Sequence, residues 1–246
     1  MENFRIAVLD LYKGAPNEGM RCIKMLVEDF FKNNHQRPNY QIFDVRSKNE
    51  VPNIHDFDAF ISSGGPGSPL LTNKGWEISY FEMIDELIKF NRTSKKVKKH
   101  FFAICHSFQL LYQYFDLGLV NKRKSTSFGV MPIHKIRTHN HDVILEGLAE
   151  PFWAVDSRDY QAIKPNKGRF KYLGAEILCL EKDRPHIPLE RAIMAIRFTP
   201  EIVGTQFHPE ADALGMHRYF KTEEKKIAVI NNYGEDKYYD MLNKLD

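Results

Sequence analysis

The feature that most constrains this chain is the stretch Phe101-Phe102-Ala103-Ile104-Cys105-His106-Ser107-Phe108-Gln109-Leu110-Leu111, where one hydrophobic period gives way directly to another. Phe101 to Ile104 is an apolar run of strand length. Phe108, Leu111, Tyr112 and Phe115 then recur at the i, i+3, i+4, i+7 spacing of one helix face. With no glycine or proline linker between them, Cys105 is left on a sharp corner at the carboxyl end of its strand, the geometry of a nucleophile elbow. At such a corner the thiol faces the unpaired N–H groups and positive dipole end of the helix, which favour a thiolate. Cys105 is the expected nucleophile.

The flanking sequence says what the corner is built into. Phe4 to Leu11, Tyr40 to Val45 and Asp58 to Ser62 read as buried strands. Between and after them run helical patterns, one capped by Asn17 and carrying Met20, Ile23, Leu26, Val27, Phe30 and Phe31, the other marked by Ile78, Phe81, Ile84, Leu87 and Ile88. Strands alternating with helices predict an α/β fold, a doubly wound, mostly parallel open sheet of flavodoxin-like type flanked by helices. Ligands in such sheets sit at the carboxyl ends of the strands. After residue 120 the alternation stops. Met131 to Arg137, Phe152 to Val155, Tyr172 to Leu180, Ala192 to Phe198 and Ile202 to Phe207 read as strands joined by short turns, a small antiparallel extension. From about Tyr219 the chain is charged and helical. No repeat or linker divides it, so residues 1–246 are expected to form a single domain.

Composition narrows the function classes. A net charge of +3 over 246 residues is too small to make nucleic acid the main partner, and no apolar run approaches a membrane span. Neither partner is expected. Cys22, Cys105 and Cys179 are few, odd in number and widely spaced, which argues for a reducing compartment and a cytoplasmic protein.

Three separated segments carry the chemistry. Besides the cysteine corner there is Ser62-Ser63-Gly64-Gly65-Pro66-Gly67-Ser68-Pro69 after the third strand, and Gly204-Thr205-Gln206-Phe207-His208-Pro209-Glu210 ending the last apolar run. Pro209 holds His208 in extended backbone, where residues two apart point the same way, so Glu210 lies within reach of the imidazole. A carboxylate there fixes the tautomer and stabilises the imidazolium. Cys105, His208 and Glu210 are thus read as nucleophile, general base/acid and orienter. Glycine lets a backbone N–H approach a reacting oxygen, so Gly65 and the N–H of His106 are the expected oxyanion donors.

Gly64-Gly65-Pro66-Gly67, Cys105-His106-Ser107-Phe108-Gln109 and Gln206-Phe207-His208-Pro209-Glu210 together resemble the class I, triad-type glutamine amidotransferases, most of all the glutaminase domain of GMP synthase and its stand-alone relatives. The resemblance spans about residues 4 to 210. It implies attack on the side-chain amide of glutamine, a glutamyl thioester, release of ammonia and hydrolysis to glutamate. It also implies a substrate contact from Gln109, whose bland reading is a hydrogen bond on the helix surface, and, as partner, an ammonia-accepting synthase. No cofactor is expected, and no ATP-binding P-loop is present. The chain departs from the family at Ala103 and Ser107, where glycines are usual. Gly64 and Ser107, like Gln109, are expected to touch substrate, and the Ser107 hydroxyl near the oxyanion donors is expected to open the choice beyond free glutamine. A thiol hydrolase or acyl transferase acting on a γ-glutamyl or other acyl substrate is therefore the alternative, and a non-catalytic regulatory or binding relative the third reading.

Other residues read more plainly. Ser157, Arg158, Asp159 and Tyr160 fall where relatives carry polar residues on the substrate side. Cys22 and Cys179 read as core. His139 and His141 lack a second ligand cluster at zinc spacing, so no metal is expected. Lys95, Lys96, Lys98 and Lys99, and Lys122, Arg123 and Lys124, read as solvated surface, with a docking face for an acidic partner or phosphate as the alternative.

Overall fold

The computed structural model describes residues 4–14, 17–73, 75–136 and 142–245. Nine strands form one sheet, in chain order β1 (Ile6–Asp10), β2 (Tyr40–Asp44), β3 (Ala59–Ser62), β4 (His100–Ile104), β5 (Leu119–Lys135), β6 (Phe152–Ile163), β7 (Glu176–Glu181), β8 (Ile193–Arg197) and β9 (Ile202–Thr205). Their order across the sheet is β2-β1-β3-β4-β9-β8-β7-β5-β6. From β2 to β9 every neighbour is parallel, and from β9 to β6 every neighbour is antiparallel.

The parallel end is the doubly wound α/β fold that the alternation predicts. Helix α1 (Glu18–Asn33) starts at Asn17, whose side chain accepts from the Met20 N–H, and it buries Met20, Ile23, Val27 and Phe31 on one face of the sheet. On the other face lie the short helix α2 (Val45–Lys48), capped by Asp44, and α3 (Trp76–Thr93). Helix α4 (His106–Tyr114) follows β4 with no intervening residue but Cys105. Both faces are covered, which is why these strands read as continuous apolar runs.

The antiparallel end is larger than a small extension. β5 begins at Leu119 rather than Met131, and β6 continues to Ile163. Tyr172 and Leu173, expected in a strand, instead end helix α5 (Lys167–Leu173). Asn166 caps that helix at its N-terminus and Gly174, at φ 67°, terminates it, so β7 starts only at Glu176. Lys95, Lys96, Lys98, Lys122 and Lys124 are exposed as expected, but Lys99 is buried, with Nζ on the Phe57 carbonyl, and Arg123 is half-buried against Glu181. Behind the β5–β6 ribbon pack α6 (Ala213–Phe220), α7 (Glu223–Tyr233) and α8 (Glu235–Asn243), joined through Val130, Met216, Phe220, Val229 and Met241. Helix therefore begins at Ala213, earlier than the sequence suggests.

Candidate active site

Cys105 sits at φ 48° and ψ −94°, a sparsely populated backbone conformation for any residue but glycine. Two backbone bonds impose it: the Cys105 N–H donates to Thr205 O at 2.8 Å, and the Gln109 N–H donates to Cys105 O at 3.1 Å. The first ties the corner to β9 and the second starts the helix. The thiol is consequently aimed out of the sheet, 7% exposed, into a cavity of about 930 Å³ at the carboxyl ends of the parallel strands. Cys105, His106, Gln109, Gly65, His208 and Glu210 all line it.

His208 arrives from the far side of β9. Its N–H donates to Val155 O at 2.8 Å, an isolated antiparallel bridge that ties the segment to β6. Nδ1 lies 2.7 Å from Glu210 Oε1, and the ring lies near enough to Cys105 for the two groups to couple electrostatically. Burial works against the imidazolium, but the charges of Glu210 and Cys105 and the hydrogen bond to Glu210 outweigh it. The His208 pKa is raised well above its ordinary value. Cys105, His208 and Glu210, chosen from sequence, are brought together.

The thiol has two hydrogen-bond partners, one from a residue expected on the substrate side and one from the histidine segment. Its S–H points to Ser157 O at 3.7 Å, and Gln206 Nε2 donates to Sγ at 3.5 Å. Gln206 in turn accepts from Gln109 Nε2 at 2.7 Å. Gln109 is 3% exposed, so it is not a helix-surface residue; it bounds the cavity and orients the amide beside the sulfur. Tyr12 closes the site opposite. Burial, then the charges of Glu210 and Cys105, push its phenol well above the usual range, and it stays neutral.

Gly64 and Gly65 stand where side chains have no room. A Cβ on Gly64 would fall 2.8 Å from the Tyr12 hydroxyl and 3.0 Å from His208 Cε1; one on Gly65 would fall 2.6 Å from Leu11 O. The His106 N–H, first in its helix, has no intrahelical acceptor. Its side chain turns inward. Burial, with the Arg46 charge, lowers the His106 pKa to about 3 against the pull of the Gly65 backbone, so the ring is neutral.

Ser107 is not brought to the cavity. Fully buried, its hydroxyl accepts from the Ile104 N–H at 2.8 Å and contacts Ser62 O at 2.8 Å and Ile104 O at 3.0 Å. The expected substrate contact from Ser107 is therefore corrected: the position after the first helical residue points into the core, and its polar atom is consumed by backbone. Of the four residues 157–160, all border the cavity, while the Arg158 side chain is only 1% exposed and is paired with Asp156 at 2.9 Å. Cys179 is core; Cys22 is buried yet borders the cavity beside Asp212, 3.2 Å away.

Among the described residues, Glu18, Cys22 and Asp212 present ligand atoms to one another, but Arg21 already pairs with both carboxylates. His139 and His141 lie outside the described residues. No described helix is long and apolar enough to cross a membrane.

Residues 20–223 match the family model for glutamine amidotransferase class-I. No curated protein matches the chain by sequence. Solved structures share its fold at low identity. A glutamine amidotransferase from Thermotoga maritima superposes with a TM-score of 0.69 at 16% identity, over 100% of this chain and 91% of that one. A Thermoplasma acidophilum protein provisionally assigned to GMP synthase gives 0.57 at 16%, over 98% and 94%. The glutaminase domain of a Trypanosoma brucei CTPS with bound acivicin gives 0.57 at 13%, over 85% and 86%.

Proposed function

This chain belongs to the class I glutamine amidotransferase family, and we propose that it is a glutamine-hydrolysing thiol enzyme working through Cys105, His208 and Glu210. The observation that supports the reading best is that a hydrogen-bonded His208–Glu210 pair and a thiol held on a strained corner line the same cavity. A carboxylate, an imidazole and a thiol in that order supply nucleophile, proton carrier and orienter, and nothing in the core packing of these elements requires all three.

In the proposed cycle, Cys105 Sγ attacks the γ-carbonyl carbon of glutamine, its proton having already passed to His208, whose raised pKa favours the imidazolium. The oxyanion is met by the backbone N–H groups of Gly65 and His106, each worth about 3 kcal/mol at the transition state. Collapse breaks the C–N bond; His208 returns the proton to the leaving nitrogen, and ammonia departs. Water, deprotonated by His208, then attacks the glutamyl thioester and releases glutamate, and the thiol regains its proton. Glu210, bonded to Nδ1, holds the ring with Nε2 towards the sulfur in every step. Gln109 and Gln206 form the amide wall beside Sγ. Ammonia released here would pass to a synthase partner, the reading the family implies.

The γ-glutamyl alternative rested on Ser107, and with that hydroxyl buried against Ser62 and Ile104 it loses its support. The test is ammonia and glutamate released from glutamine by the purified chain and by Cys105→Ala. Equal amounts of the two products from the parent and at least about a 10,000-fold loss in the variant are expected. A parent chain that releases neither product, or a variant that keeps the parent rate, contradicts the reading.

A further inference from the structure

The Gly64–Gly65–Pro66 segment is held from outside itself by side chains whose geometry decides which way its peptides face. Ser63, fully buried, donates its hydroxyl to Gly64 O at 2.8 Å and accepts the Leu11 N–H at 2.9 Å. In a planar trans peptide the carbonyl and the following N–H point in opposite directions. Fixing Gly64 O against β1 therefore fixes the Gly65 N–H on the other side.

Two peptides further on, Arg46 Nη1 donates to Pro66 O at 2.7 Å and to Leu11 O at 3.2 Å. Leu11 O is the atom against which Gly65 backs, so the guanidinium grips both the loop and the strand end behind it. Arg46 is itself held, its guanidinium lying 5.5 Å from the Trp76 ring centroid at the start of α3. Its Nε is buried with no hydrogen-bond partner among the described residues. A guanidinium kept there despite an unpaired donor is costly, and the two carbonyls are what it gains. The neutral His106 ring is buried beside this loop.

We propose that Ser63 and Arg46 are positioning residues that lock the Gly64–Gly65–Pro66 loop with the Gly65 N–H turned to the reacting carbonyl, so that the chain hydrolyses glutamine without a partner to order this loop. The inference rests on the glutaminase reading above and adds to it the self-sufficiency of the oxyanion site. Neither side chain touches substrate in this scheme. Their removal frees the peptides to rotate, which removes a donor used mainly in the transition state; kcat should fall and KM should hardly move.

The experiment compares the full-length parent, Ser63→Ala, Arg46→Ala and Arg46→Lys, each without any partner. It reads kcat and KM for ammonia release from glutamine, and the rate at which iodoacetamide alkylates Cys105, a reaction that needs no oxyanion donor. The parent is expected to turn over glutamine alone. Ser63→Ala and Arg46→Ala should each lose about 100-fold in kcat, with KM and alkylation rate within about twofold of the parent. Arg46→Lys, which keeps the charge but not the fork, should fall between the parent and Arg46→Ala, and added methylguanidine should restore part of the Arg46→Ala activity. Parent-like kcat in both alanine variants overturns this inference while leaving the glutaminase reading intact. Alkylation falling in step with kcat also overturns it, because the site as a whole is then damaged. A parent that makes no ammonia overturns the underlying reading, and the inference with it.

Discussion

The two ends of the sheet divide the labour. In the parallel end, β1, β3, β4 and β9 are short, apolar and covered on both sides, and each delivers a loop to one rim: Tyr12 after β1, Gly64 and Gly65 after β3, Cys105 after β4, His208 after β9. In the antiparallel end, β5 and β6 are long and slip register between Lys122 and Ser127, and they bury charge instead of avoiding it. Asp156, Arg158, Glu181 and Arg123 form a network in which Arg158 and Asp156 are 1% and 2% exposed at the side chain. Regular strands place reacting groups with little adjustment. The irregular ribbon makes the wall that holds them, through the Val155–His208 bridge and the Ser157 carbonyl against the thiol.

If that division is right, substitutions at the two ends fail differently. The largest effect belongs to the parallel end: His208→Ala should cut glutamine turnover about 10,000-fold or more, read by steady-state kinetics. Next comes Arg158→Met in the ribbon. Leaving Asp156 buried without its cation should cost about 3–5 kcal/mol of stability by denaturant unfolding. A Tm unchanged by Arg158→Met would dissolve the comparison.

Smaller, and sharper, is the pH dependence of the link between the ends. The raised pKa of His208 means that its pairing with Glu210 contributes stability fully below the ordinary imidazole value of about 6.5, and loses it as pH rises through the raised value. Glu210→Gln should therefore lower Tm most near pH 6, by the equivalent of about 1–3 kcal/mol, and least in alkaline solution. A difference independent of pH would show that the pair is not charged. The smallest effect concerns the outer helices. Gly129, at φ 133°, has Met241 Sδ 2.5 Å from where a Cβ would stand, so Gly129→Ala should loosen α8 for about 1 kcal/mol, seen as faster amide exchange in α8 and not in α4.

Legibility in the sequence follows the same division. The parallel end was readable because its signals are local: an apolar run meeting a helical period at Cys105, an Asn17 cap, a proline fixing His208 beside Glu210. The candidate nucleophile, base and orienter could be chosen from these alone. The ribbon was not readable in the same way. Leu119 to Val130 contains Asn121, Lys122, Arg123, Lys124, Ser125 and Thr126, which resemble surface turn; Lys122, Lys124, Ser125 and Thr126 are indeed exposed, and it is Arg123 that turns inward onto Glu181, far along the chain. Ser107 misled for a related reason. The spacing placed a hydroxyl near the corner, but direction depends on which helix face meets the sheet, and that face is the core. Arg46 carries no local signal, because its targets, Leu11 O and Pro66 O, are backbone atoms brought together only by β1–β3 pairing.

The central claim is that the thiol at residue 105 forms a covalent bond to the glutamyl group. Acid quenching of the chain mixed with glutamine, followed by peptide mass analysis, tests it most directly. The account predicts a glutamyl adduct on the peptide carrying Cys105, increased in yield when the quench is early and absent from Cys105→Ala. Glutamine turned over with no adduct at any quench time, or an adduct carried by Cys22 in its place, would contradict it.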